Sequence, residues 1–179
     1  MKNVKRNTLL TYLSGSYKTE TKVNPDRIYE LNNMPEKSGD TVYLCERELR
    51  YEDNFGINFA FEKSNEIIIL YTPHQLKNLN VGTLIVDFNS IKDYSYLNQF
   101  GCKIYEVDSH NIIPARIVSN KQEYSAGTFR RKVYSQINRY LTDYPFKPIK
   151  NKYARKVLDN FIQTKLDYYA ELKNDPAKA

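Results

Sequence analysis

Tryptophan is absent from this 179-residue chain, and cysteine and histidine occur only twice each. Cys45 and Cys102 stand alone in separate apolar runs, which excludes a disulfide framework or a multi-cysteine zinc site. Both read as buried thiols in a reducing, cytoplasmic setting. His74 and His110 form no HExxH, and no Ser/His/Asp or Cys/His set follows from spacing. A single histidine beside a strand end is ordinarily a structural hydrogen bonder. Walker loop, GxGxxG and GxSxG are missing as well, so the common phosphate-cradling and nucleophile-elbow motifs are out. No apolar run is long enough to span a bilayer. Residues 1–13 are charged and polar, without a secretory hydrophobic region.

What is present suits one globular domain. At 21.1 kDa the chain is large enough to bury a real core. Its charge is uneven. Residues 121–179 hold 13 Lys and Arg against 6 Asp and Glu, whereas residues 1–120 hold 14 against 15. The net charge of +6 therefore lies wholly in the last third. That favours an acidic partner there, nucleic acid or an anionic cofactor, against the plainer reading of solvated lysine-rich helix faces.

Residues 1–23 are polar and predict a mobile extension. Asn24-Pro25 opens a short helical segment over residues 25–31. Thr41-Val42-Tyr43-Leu44-Cys45 is β-branched and aromatic, a strand. Residues 50–63 read as a helix with Phe55, Phe59 and Ala60 on one face, weakened by Gly56. The runs at residues 67–71, 82–88 and 103–108 suit strands of a parallel sheet, the first two buried on both faces. Residues 112–118 continue the extended chain, with Pro114 limiting its pairing. Two amphipathic helices follow. One covers residues 128–141 and buries Val133, Ile137 and Leu141 or their neighbours. The other covers residues 153–172, with a stripe through Val157, Leu158, Phe161, Ile162, Leu166 and Tyr169. The order predicts an α/β fold, a small Rossmann-like parallel sheet with flanking helices and a C-terminal helix.

The densest polar cluster, Glu46-Arg47-Glu48-Leu49-Arg50-Tyr51-Glu52-Asp53-Asn54, lies between the first predicted strand and helix. Ligands of open α/β sheets bind outside the carboxyl ends of strands, so this turn is a candidate site wall. Helix capping with surface ion pairs is the simpler account. Asp87-Phe88-Asn89 leaves another strand at the same edge.

These residues resemble the photolyase/cryptochrome family. Arg47 to Phe55 is similar to its first turn, which has an Arg, two residues, a second Arg, then Glu-Asp-Asn and an aromatic. Glu106-Val107-Asp108-Ser109-His110-Asn111-Ile112-Ile113-Pro114, followed by Ser119-Asn120-Lys121-Gln122-Glu123-Tyr124-Ser125-Ala126-Gly127-Thr128-Phe129-Arg130-Arg131-Lys132, resembles a longer pattern of class II DNA photolyases. Residues 82–88 and 158–178 resemble two further blocks of that class, so the likeness covers most of residues 24–178. There are departures. Only a few residues link Tyr71 to Asn78, where the family has another helix and strand, and such a loss leaves an open sheet edge. The interdomain connection near residues 148–152 is nearly gone. Leu49, Ser109 and Arg131 stand where the family has Gln, Ala and Pro.

The resemblance implies an extension over residues 1–23, an antenna-type α/β domain over 24–148, and a helix over 149–179. That last helix leads toward a helical FAD-binding domain not contained in these residues. In the family that domain binds FAD and splits pyrimidine dimers under light. The chain would then be a truncated, inactive photolyase N-terminal domain, either a remnant or one half of a split enzyme whose flavin domain is encoded separately. The alternative is a non-enzymatic binding module that contacts nucleic acid or a flavin domain in trans. No cofactor is expected in the chain alone. Some relatives hold a deazaflavin- or folate-type antenna, and Arg47, Arg50, Asp87, Phe88 and Asn89 are then the antenna-side candidates. His110, Asn111, Lys121, Glu123, Tyr124, Arg130 and Lys132 are the domain-interface or DNA-proximal candidates. DNA is expected to bind weakly if at all, and no metal site is expected.

Overall fold

A computed structural model describes residues 10–14, 22–48, 50, 53–141, 163, 166, 167 and 170. Its centre is a six-stranded sheet. The strands are β1 (Leu10–Ser14), β2 (Ile28–Glu30), β3 (Asp40–Leu44), β4 (Glu66–Leu70), β5 (Val81–Asp87) and β6 (Lys103–Val107). Their spatial order is β1-β4-β3-β5-β6-β2.

The four apolar runs become the four inner strands, β4, β3, β5 and β6, all mutually parallel. Buried on both faces, they can be apolar at successive positions. Every residue of β5 and β6 is buried, as are the last four of β3 and of β4. The chain steps from β3 to β4 on one side and then to β5 on the other. The switch point of the sheet thus lies between β3 and β5. The α/β fold is as the sequence predicts, with a sheet that is mixed rather than wholly parallel.

Both outer strands run antiparallel to their neighbours. Residues 10–14, expected within a mobile extension, pair with β4 as β1, Leu10 opposite Leu70 and Ser14 opposite Glu66. They cover the outer edge of β4. The segment after Asn24 makes one 3-10 turn, Pro25–Arg27, and then becomes β2 against β6 rather than staying helical.

Helix α1 (Phe55–Lys63) covers one face of the sheet. It begins later than residue 50 because the Asn54 side chain accepts the Ile57 N–H at 3.0 Å. Asp53 before it takes φ +55°, a left-handed conformation that Asp tolerates better than most. Gly56 is needed for contact: a Cβ there would lie 2.6 Å from the Tyr43 ring. The other face is covered by 3-10 turns at Pro73–Asn78 and Ser95–Phe100, through Leu76 and Leu97. Cys45 and Cys102 are free and buried, one in each core.

Residues 115–118, read as extended, form the short helix α2 (Ala115–Val118), and α3 spans Ala126–Tyr140. Pro114 is the N-cap of the first, and its carbonyl accepts the N–H groups of Ile117 and Val118 at 2.9 and 3.2 Å. The pair makes a small satellite cluster around Ile113, Val118 and Tyr140. Val133 and Ile137 are partly buried as expected, and of Leu141 and its neighbours it is Tyr140 that is buried, with Leu141 62% exposed. Most of the predicted helix at residues 153–172 lies outside the described residues, although Gln163, Leu166, Asp167 and Ala170 are helical. Among the described residues no helix is long and apolar enough to cross a membrane.

Candidate functional site

At the switch point the carboxyl ends of β3 and β5 lie side by side. Asp87, the last residue of β5, is 1% exposed. Its carboxylate accepts the Tyr43 hydroxyl, and the backbone N–H groups of Arg47 at 2.7 Å and Glu48 at 3.2 Å. It therefore draws the loop after β3 over the end of β5. Burial, with the Asp87 charge next, pushes the Tyr43 phenol well above its ordinary pKa.

Glu48 is the second buried carboxylate. It pairs with His110 Nδ1 and, at 3.2 Å, with Arg50 Nε. Arg50 also donates to the Ser109 carbonyl at 2.7 Å, and the Gly56 N–H donates to Ser109 Oγ at 3.2 Å. Glu48, Arg50 and His110 thus clasp the loop after β3 to the loop after β6. The Glu48 hydrogen bond raises the His110 pKa, with burial opposing it.

The loop after β6 is fixed by two further residues. The Asp108 carboxylate accepts the N–H groups of His110, Asn111 and Ala115 and the Asn111 side-chain amide. Arg27 donates to the carbonyls of Asp108, Asn111 and Ile112 at 2.8–3.0 Å and lies 4.1 Å over the Phe55 ring. On the other flank Asn89 Oδ1 accepts the N–H groups of Ile91 and Lys92. Lys92 pairs with Glu46 at 2.5 Å, and the Tyr94 hydroxyl donates to the Asp87 carbonyl at 2.9 Å.

The sequence candidates separate into two places. Arg47, Arg50, Asp87, Phe88 and Asn89 all lie at the switch-point edge, joined by His110 and Asn111. Of these, Asp87, Arg50 and Asn89 are engaged by the chain's own groups. The Arg47 guanidinium is exposed without an ion pair among the described residues, and Phe88 is half-buried. Lys121, Glu123, Tyr124, Arg130 and Lys132 lie apart, around the start of α3. There Glu123 pairs with Lys132 at 2.5 Å and accepts the Ser119 hydroxyl at 2.7 Å. These contacts, Lys132 first, lower its pKa to about 2. A groove of about 440 Å³ opens here, lined by Ala115, Ser119, Lys121, Glu123, Ser125, Ala126 and Phe129.

Sequence reading missed Arg27, Tyr43, Tyr94 and Asp108 as members of the switch-point network. Only Asp108 left a signal, as an Asp three residues before an Asn at a strand end.

The carboxylates act here as latches rather than as free acids or bases. No group of three His, Cys, Asp or Glu able to hold a metal occurs among the described residues. The α3 groove is open and shallow, so it does not fit a flavin, which needs an enclosing pocket.

Three curated proteins are similar to this chain, each a deoxyribodipyrimidine photo-lyase. The one from Oryza sativa subsp. japonica is 31% identical over 86 residues, 42% of this chain and 17% of its own length. That from Potorous tridactylus is 30% identical over 80 residues, 41% of this chain and 15% of its own. That from Arabidopsis thaliana is 32% identical over 90 residues, 46% of this chain and 18% of its own. The matched region thus spans less than a fifth of each relative. No family model matches the chain.

Proposed function

We propose that these residues form the N-terminal α/β domain of a class II photolyase-type protein. The observation that carries this reading is the 30–32% identity to three photo-lyases, found in a chain whose sheet has a Rossmann-like switch point. Repair of a pyrimidine dimer requires a flavin beside two adjacent, covalently linked pyrimidines flipped out of one strand, hence a deep enclosed pocket. The described residues supply latches and an open groove. The repair chemistry therefore belongs to a helical flavin domain outside these residues, in cis or in trans. The α/β domain packs against it, and Arg47 and Phe88 would face an antenna chromophore if one is held.

Two measurements test this. Under blue light, the chain alone should leave a dimer-containing oligonucleotide unrepaired and should carry no flavin absorbance. Supplied with the flavin domain of the rice photo-lyase, it should co-elute with that domain. Repair by the chain alone would overturn the assignment of chemistry, and absence of any complex would overturn the domain assignment.

A further inference from the structure

Beyond that reading, the chain's two histidines differ in how their rings are held. Each is engaged through Nδ1, His110 by the Glu48 carboxylate and His74 by the Thr72 hydroxyl at 2.7 Å. An ionised carboxylate can only accept a hydrogen bond, whereas a hydroxyl can donate or accept. Glu48 therefore keeps the proton of the neutral His110 ring on Nδ1, which leaves the lone pair on Nε2. Thr72 fixes no such tautomer in His74. The Glu48 side chain is 7% exposed, while that of His110 is 21% exposed. His110 Nε2 makes no hydrogen bond among the described residues. The ring's own backbone is tied as well, since the His110 N–H donates to Asp108 at 3.2 Å.

A nucleophilic imidazole needs a lone pair on one nitrogen, a proton held on the other, and a counter-ion for the charge the ring gains on reaction. Glu48 supplies the last two. The charges around the ring are mixed. Glu48 and Asp87 favour its cationic form, and burial and Arg47 oppose it. Arg50 shares the Glu48 carboxylate at 3.2 Å. Arg47 follows in the same loop, exposed and without an ion pair among the described residues, so its charge draws an electrophile that is itself an anion. We propose that His110 Nε2, oriented by Glu48, accepts a phosphoryl group from small donors of the phosphoramidate and acyl-phosphate class. Nε2 attacks phosphorus, and the new N–P bond forms as the donor's P–N or P–O bond breaks. Ammonia or a carboxylate leaves with the bonding electron pair. The Nδ1 proton stays in place, and Glu48 balances the positive charge of the phosphorylated ring. The proposal rests on this side-chain pair and stands whether or not the chain is a photolyase-type domain.

The test is incubation of the full chain with potassium phosphoramidate, followed by peptide mass spectrometry under alkaline handling. His110 should be labelled about tenfold faster than His74, the margin between a charged and a neutral hydrogen-bond partner, although His74 is the more exposed residue. The two rings are compared within one folded chain. His110→Gln should remove its label and leave that of His74 unchanged. Labelling of His110 should rise with pH through a midpoint above the ordinary 6.5, because Glu48 holds the proton on the ring and only the neutral ring attacks. Glu48→Gln, with its fold checked by circular dichroism, should lower that midpoint and slow labelling above it. Arg47→Ala should slow labelling without moving the His74 rate. Equal labelling of the two histidines, or faster labelling of His74, would make exposure the sole determinant and overturn the proposal. So would a folded Glu48→Gln chain that labels as the unaltered one does. An unchanged rate in Arg47→Ala would overturn the choice of an anionic donor.

Discussion

Both faces of the central sheet are covered, by α1 on one side and two 3-10 turns on the other, whereas α2 and α3 bury only Ile113, Val118 and Tyr140 between them. The sheet region draws its stability from apolar side chains removed from water. The helix pair depends more on polar ties. Asp26 accepts the Tyr140 hydroxyl at 2.6 Å and pairs with Arg139 at 2.7 Å, and Glu123 holds Lys132. One region is finished as a folded object. The other keeps rings and cations in water, which is what a docking surface requires.

The contrast breaks most easily in the core. Phe61 is 1% exposed in α1, and Phe61→Ala should cost about 3–5 kcal/mol in urea unfolding. Val133→Ala on α3 is only partly buried and should cost under about 1 kcal/mol, within the range for lightly buried sites. Equal losses would show the satellite to be part of the same core. Asp87→Ala comes next. It strips a shared acceptor from Tyr43 and two backbone amides, at about 1–3 kcal/mol for each buried donor left unpaired. Asp87→Asn should lose less, and parity between the two variants would remove the latch role.

Tyr140→Phe should have a smaller effect, about 1 kcal/mol for one hydrogen bond. Amide exchange should quicken in α3 and stay unchanged in β3 and β5. Acceleration across the sheet would contradict the separation of the two regions.

The last difference is in pH. The folded pKa of His110 is raised, by Glu48 first and against burial. Its contribution to stability is therefore complete below the ordinary value of 6.5 and is lost as pH rises through the raised folded value. Glu123 has the opposite sign. Its pKa is lowered to about 2, so its contribution is present above the ordinary 4.5 and lost as pH falls toward 2. His110→Gln should flatten the stability profile on the neutral-to-alkaline side. Glu123→Gln should flatten it on the acid side. Exchange of these two outcomes would reverse the assignment of each group to its region.

Much of the sheet was legible because buried parallel strands write themselves as unbroken apolar runs. Thr41 to Cys45 and residues 67–71, 82–88 and 103–108 needed no partner to be recognised. β1 was not legible, since Leu10–Ser14 becomes a strand only when β4 lies beside it. The start of α1 shifted by five residues because Asn54, rather than periodicity, sets it. At the candidate site, the polar cluster after β3 was visible, and its simpler reading as caps and ion pairs describes Asn54, Glu46 and Glu48 well. Arg27 was invisible for a different reason. Its acceptors lie 81 to 85 residues away, and no local pattern marks a side chain whose partners are that distant.

β1 also has a consequence for how the chain assembles. It is among the earliest residues in sequence, yet its partner β4 is not formed until Glu66–Leu70 are in place. Before that pairing closes, β4 offers a run of three isoleucines and a leucine, with no proline or glycine, along an unpaired backbone. Such an edge is a template for another chain. β1 thus closes an edge that the sequence of β4 would otherwise leave open to pairing with another chain.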